Sequence, residues 1–216
     1  SENTVKVKAD AHVIDKLTTK VENGILLIGT EGNLRNVRTL EVYITMKRLD
    51  YIKNSGSGDI SCRGDMPGND VKISINGSGD FEAGMEAKNM EVSISGSGDV
   101  ELSGVRGDFS LSVSGSGDVE AEALQLEKCK VSVQGSGDVQ LKGATASLVV
   151  KQNGSGDVNA YSLKAVDVEV NNSGSGDIVL QAVNSLRAMI NGSGDLTYHG
   201  SCEKVDVMSN GSGEIY

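Results

Sequence analysis

Tryptophan is absent, proline occurs once, and only two phenylalanines and five tyrosines stand among 216 residues. So few aromatics leave the chain without the usual platform for stacking sugars. A single proline beside 28 glycines excludes collagen and Pro-rich linkers. The three cysteines, Cys62, Cys129 and Cys202, show no CxxC or CxxH spacing, and an odd count cannot close a disulfide framework. They read as small core fillers. No apolar run approaches the ~20 residues that cross a bilayer, and no leader is visible, so Ser1 is expected to follow a removed or trimmed segment. Positive charge is also scarce. A net charge of −10 disfavours nucleic acid and anionic membrane surfaces as partners.

What the chain does have is a repeat. Gly-Ser-Gly-Asp recurs at 56–59, 77–80, 96–99, 115–118, 135–138, 154–157, 174–177 and 192–195, and Gly-Ser-Gly-Glu follows at 211–214. Successive copies lie 18 to 21 residues apart, so each is one structural unit stacked on the next. Within a unit, Val92, Ile94, Gly96, Gly98, Val100 and Leu102 share one parity while Ser93, Ser95, Ser97, Asp99 and Glu101 share the other. Period two with one apolar side is a strand whose alternate residues enter a core. Both glycines of each copy carry the inward parity and are expected at corners where the backbone runs close to the core. These corner positions are Gly56, Gly58, Gly77, Gly79, Gly96, Gly98, Gly115, Gly117, Gly135, Gly137, Gly154, Gly156, Gly174, Gly176, Gly192 and Gly194.

The residue three after each Asp reads Cys62, Ala83, Leu102, Ala121, Leu141, Ala160, Leu180, Tyr198. Small and large alternate through Leu180, as interdigitating layers about 4.8 Å apart require. Met85, Leu124 and Leu163 compensate in the small-residue units. Gly64, Gly104, Gly143, Ala182 and Gly200 stand in the large-residue ones. The packing period is therefore a pair of units. Nineteen extended residues span at most about 60 Å, one coil of a solenoid. The expected fold is all-β, a right-handed parallel β-helix. The alternative is a β-propeller-like array of hairpins turning at Gly-Ser-Gly.

Residues 1–53 lack the signature but alternate at Val5, Val7, Ala9 and again at Leu40, Val42, Ile44, Met46, with Leu26 and Ile28 following Asn23-Gly24. They read as irregular N-terminal coils or a capping sheet. Residues 54–216 hold the regular repeats, and 1–216 is expected to be a single solenoid domain. An uncapped edge at Tyr216 implies end-to-end self-association or a cap elsewhere.

Gly-Ser-Gly-Asp-Val-x-Leu/Ala every 19 or 20 residues resembles the putative auto-transporter adhesin, head GIN domain family. The likeness includes Val21-Glu22-Asn23-Gly24-Ile25-Leu26 and Leu40-Glu41-Val42-Tyr43-Ile44-Thr45-Met46, and so covers nearly the whole chain. The resemblance implies a right-handed β-helix and an exported bacterial envelope protein of the periplasm, outer membrane or cell surface. It also implies further sequence ahead of the domain, and it offers no catalytic residues to carry over.

The candidate site residues are the repeated acids Asp59, Asp80, Asp99, Asp118, Asp138, Asp157, Asp177 and Asp195, an outward ladder. Their first reading is as turn acceptors of backbone N–H groups. A cation ladder is the sharper one, but calcium needs six to eight oxygens and the calcium nonapeptide repeat has another spacing. No metal and no cofactor is therefore expected. His12 and His199 have no evident catalytic partners, and Asp65 and Asp70 flank a Pro67-Gly68 loop. The expected function is an adhesin-like or structural binding module without catalysis, its partner a protein or glycan surface. A carbohydrate-active β-helix enzyme and a self-assembling envelope scaffold are the alternatives.

Overall fold

The computed structural model describes residues 3–64 and 70–216 and contains two compact units, one ending at Arg48 and one beginning at Leu49.

In the first unit β1 (Thr4–Ala9) is followed by a helical turn, α1 (Ala11–Ile14), then β2 (Leu17–Glu22), β3 (Ile25–Thr30) and β4 (Leu40–Thr45). Strands β2 and β3 form an antiparallel hairpin. Its turn, Asn23-Gly24, has φ of 50° and 80°, the left-handed pair that matches strand twist. Strand β1 pairs antiparallel with β4, from Thr4↔Thr45 to Ala9↔Leu40. The Asp10 carboxylate accepts from the Arg38 N–H (2.7 Å) and the Thr39 N–H (3.3 Å). The Arg38 bond is the main cause that holds the Asp10 pKa below the usual value.

The second unit is a parallel β-solenoid of about eight turns, each of about 19 residues. Its strands are β5 (Tyr51–Asn54), β6 (Ile60–Arg63), β7 (Asp70–Ile75), β8 (Phe81–Ala87), β9 (Asn89–Ile94), β10 (Val100–Val105) and β11 (Asp108–Val113). Then come β12 (Val119–Val133), β13 (Val139–Gln152), β14 (Val158–Asn172), β15 (Ile178–Ile190), β16 (Leu196–His199) and β17 (Lys204–Ser209). Each turn has a first face ahead of the Gly-Ser-Gly-Asp corner and a second face after it. First faces pair with first faces, β5-β7-β9-β11-β12, and second faces with second, β6-β8-β10-β12. From β12 to β15 one long strand carries the second face of one turn and the first face of the next. All of this unit's strand pairs among the described residues are parallel. That overturns the propeller alternative, because hairpin blades pair antiparallel.

The core follows the parity of the sequence. Val71, Met90, Phe109, Cys129, Leu148 and Val168 form one buried column of the first face. On the second face Ala83, Leu102, Ala121 and Leu141 stack in register, small on large, all buried. The compensating residue also stacks, Leu124 on Gly143 and Gly143 on Leu163. Here glycine has a second reason beyond volume. Gly104 and Gly143 have φ of 92° and 143°, backbone that side chains rarely adopt, where the strand bends.

Apart from Thr145, whose hydroxyl donates to the Ser147 carbonyl (2.9 Å), the buried polar side chains among the described residues lie beneath the corners. Asn172 Nδ2 donates to the Gly176 carbonyl (3.0 Å), and Asn172 Oδ1 accepts from the Gly174 N–H (2.9 Å). Asn54 makes the same pair with Gly58 and Gly56. Gln152 reaches the Gly156 carbonyl with its Nε2, but its buried Oε1 has no partner among the described residues. One extra methylene carries that oxygen past the N–H that an Asn would meet.

Candidate functional site

The corner residues decide what each turn shows to solvent. At every stacked corner the Ser N–H donates to the first-glycine carbonyl of the turn before, as Ser97 does to Gly77 (3.1 Å) and Ser116 to Gly96 (3.1 Å). That contact is tight. A Cβ built on Gly96 lies 1.8 Å from Gly77 O, and one on Gly98 lies 2.1 Å from Gly79 O. The same collision recurs from Gly77 to Gly213, so glycine is required by the carbonyl of the turn beneath. Gly56 and Gly58, on the first corner, meet no such carbonyl.

The aspartates form a continuous hydrogen-bonded ladder. Asp59 Oδ1 accepts from the Asp80 N–H (3.0 Å), and the pattern repeats through Asp99, Asp118, Asp138, Asp157, Asp177 and Asp195 to the Glu214 N–H, at 2.8 to 3.0 Å throughout. The next residue's N–H donates the other way, as Val100 does to the Asp118 carbonyl (2.8 Å). Asp is therefore where the backbone ladder changes direction, and a one-carbon carboxylate supplies the acceptor the corner lacks. Glu214 ends the series, and its carboxylate accepts from the Tyr216 hydroxyl.

Beyond the corners the outward columns differ along the molecule. The second face carries Glu82, Glu101 and Glu120 in its early turns, in register with Gln140 and Asn159 and then Val179 and Thr197 in the later ones. Lys142 Nζ bridges Glu120 and Glu122. The Glu120 bond leads in raising the Lys142 pKa, and the Lys142 bond leads in lowering that of Glu122. The first face zips opposite charges between turns, Lys72 to Glu91 (2.6 Å) and Arg187 to Asp206 (3.5 Å). Exposed pairs of this kind contribute about 0–1 kcal/mol each, enough to favour a register but not to hold the fold.

The remaining sequence candidates disperse. His12 Nε2 lies 3.1 Å from the Arg35 carbonyl. His199 packs against Tyr161, ring centroids 4.8 Å apart at 84°. Asp70 accepts from Asn89 (2.8 Å), and Asp65 lies outside the described residues. The three cysteines are free thiols. Burial pushes the Cys129 thiol up to about 12, so it is a core filler rather than a nucleophile. Among the described residues no group of three or more His, Cys, Asp or Glu is arranged to hold a metal ion. The tyrosine beside His199 is the feature that composition hid, since a low aromatic count says nothing about where the few aromatics gather.

Comparison with known proteins bears on this arrangement. A putative adhesin from Parabacteroides merdae superposes with a TM-score of 0.73 at 21% identity, covering 100% of this chain and 84% of that one. A putative lipid binding protein from Parabacteroides distasonis gives 0.71 at 25% identity, covering 100% and 85%. A putative adhesin from Bacteroides fragilis gives 0.58 at 22%, covering 99% and 82%. No curated protein matches the sequence. The model of one family, "Putative auto-transporter adhesin, head GIN domain", matches residues 1–142 and again 135–202, two overlapping placements of the kind a chain of near-identical turns permits. With its whole length accounted for by those two matches save the last turn, the chain belongs to the head GIN domain family of putative auto-transporter adhesins.

Proposed function

We propose that this chain is an exported module of the bacterial cell envelope that binds a partner surface along the regular outer faces of its solenoid, adhesin-like and without catalysis. The observation that carries this reading is the outer architecture itself. Turn after turn presents short polar side chains at fixed spacing, Ser74, Ser93, Ser112 and Ser132 in one column and the Asp ladder in another. A flat periodic surface of that kind suits an extended partner better than a single small substrate. The histidines and carboxylates an enzyme would use are taken up in separate local contacts. Membership of an adhesin family supports export and surface exposure.

Protease digestion and antibody labelling of native protein on intact host cells test this. The expected result is cleavage and labelling without permeabilisation. Protection that is lost only when the outer membrane is opened would overturn surface binding and leave a scaffold internal to the envelope.

A further inference from the structure

Where β14, β15 and β16 lie side by side, the second face changes character. Alternate residues point outward along each strand, which gives Asp157, Asn159 and Tyr161 on one turn. The next two turns contribute Asp177, Val179 and Gln181, then Asp195, Thr197 and His199. The register aligns Asn159 with Val179 and Val179 with Thr197, and Gln181 with His199. Nine side chains thus cover about 13 by 10 Å, at about 3.3 Å per residue and 4.8 Å per turn. Lys164 stands opposite Gln181 at the edge of this patch, against the three aspartates Asp157, Asp177 and Asp195.

Tyr161 is held out of the sheet. The register between β14 and β15 shifts after Ala160, a bulge that lifts Tyr161 from the ladder. Asn159 Oδ1 accepts the Tyr161 N–H (3.2 Å), fixing the bulge, and His199 meets the ring edge-to-face from two turns away. More than half of Tyr161 (53%) remains exposed. A bulge at the matching place in β12 carries Glu122, which Lys142 neutralises. The bulge is therefore architectural, while the ring on it belongs to this patch alone. In the early turns the same positions hold Glu82, Glu101 and Glu120, with no aromatic.

We propose that this patch is a binding site for uncharged glycans, Tyr161 stacking on the apolar face of one sugar ring. The amides of Asn159 and Gln181, the Thr197 hydroxyl and the Asp column meet the hydroxyl rim. Tyrosine offers a flat apolar body at low entropic cost, amides both donate and accept, and a carboxylate accepts only. Three aspartates against the single Lys164 at the patch, with a net charge of −10, disfavour acidic polysaccharides as the preferred ligand. The proposal rests on the surface-binding reading above and gives it a ligand class and a place.

The test uses the purified full chain on immobilised gluco-, manno-, xylo- and N-acetylglucosamine oligosaccharides, with polygalacturonate and hyaluronan as anionic comparisons. The wild type should retain at least one neutral series in preference to the anionic ones. Tyr161→Ala should weaken that binding about tenfold or more, as loss of an aromatic anchor does. Tyr161→Phe should keep most of it, and Glu101→Gln, on the early turns, should leave it unchanged. Folding of each variant is checked by its melting curve, and His199→Ala, which removes the ring's support, should also weaken binding. Failure to bind any neutral series, a preference for the anionic ones, or a Tyr161→Ala variant that binds as wild type overturns the site. Exposed protein on cells with an inert array defeats the glycan site alone. Protected protein on cells defeats the surface reading whatever the array shows.

Discussion

At the corner, each Asp side chain stands in for a backbone carbonyl that the turn cannot supply. Asp118 Oδ1 accepts from the Asp138 N–H at 2.8 Å while the Asp118 N–H itself donates to Asp99. Stacked carboxylates repel one another by about 1 kcal/mol or less in water, so the hydrogen bond and the charge can be separated by substitution. Asp118→Asn keeps the acceptor and relieves the repulsion, and its urea midpoint should match or slightly exceed the wild type. Asp118→Ala removes the acceptor and should cost about 1 kcal/mol. If Asn proves as damaging as Ala, charge rather than hydrogen bonding sustains the ladder. The residue type at this place was legible in the sequence, since Asp after Gly is a turn signature. Which N–H it meets was not, because that donor lies about 20 residues further along and is brought there only by stacking.

Strands follow from parity, and their limits follow from contact. The alternation of Val131, Val133, Val139 and Leu141 across two glycines marks one inward side without the structure. It does not show that β12 to β15 run through the second bend as single strands, with a register shift where Ala123 takes a φ of 51°. Nor does it show why the glycines are there. A Cβ at Gly117 would sit 2.1 Å from Gly98 O, backbone that is pinned by its own ladder. Gly117→Ala should therefore destabilise by about 3 kcal/mol, at the top of the overpacking range. Gly58→Ala, with nothing within 4 Å of the added carbon, should change stability by no more than about 0.5 kcal/mol. The same substitution in the same motif thus has two outcomes, decided by whether a turn lies beneath. Thermal or urea unfolding of the two variants reads the difference directly.

At the scale of the molecule, each turn of the solenoid rests on its neighbours, so stability is close to a sum of neighbouring-turn terms. The alternation of Leu102, Ala121 and Leu141 makes two turns the repeat of that sum. Deleting residues 119–157 joins Asp118 to Val158 and sets Ala160 over Leu102, where Ala121 stood. That shortened chain should fold, with a smaller urea m-value because it buries less surface. Deleting 119–138 alone sets Leu141 over Leu102 and Gly143 beside Gly104, crowding one layer and emptying the next. It should unfold at a lower urea concentration than the longer deletion, by about 1–3 kcal/mol of packing loss. A single-turn deletion as stable as the two-turn deletion would show that the alternation is incidental.

The repeat, the inward and outward sides, the stacked columns and the all-β fold are legible in the residues alone, because periodicity two and a fixed unit length need no contact between distant positions. Tertiary structure decided the rest. Parallel stacking turns neighbours about 19 residues apart into contacts, so it alone fixes which carbonyl forbids a side chain, which N–H each Asp receives and where a bulge occurs. It also gathers Tyr161, Gln181 and His199, scattered over 39 residues of sequence, into one exposed patch.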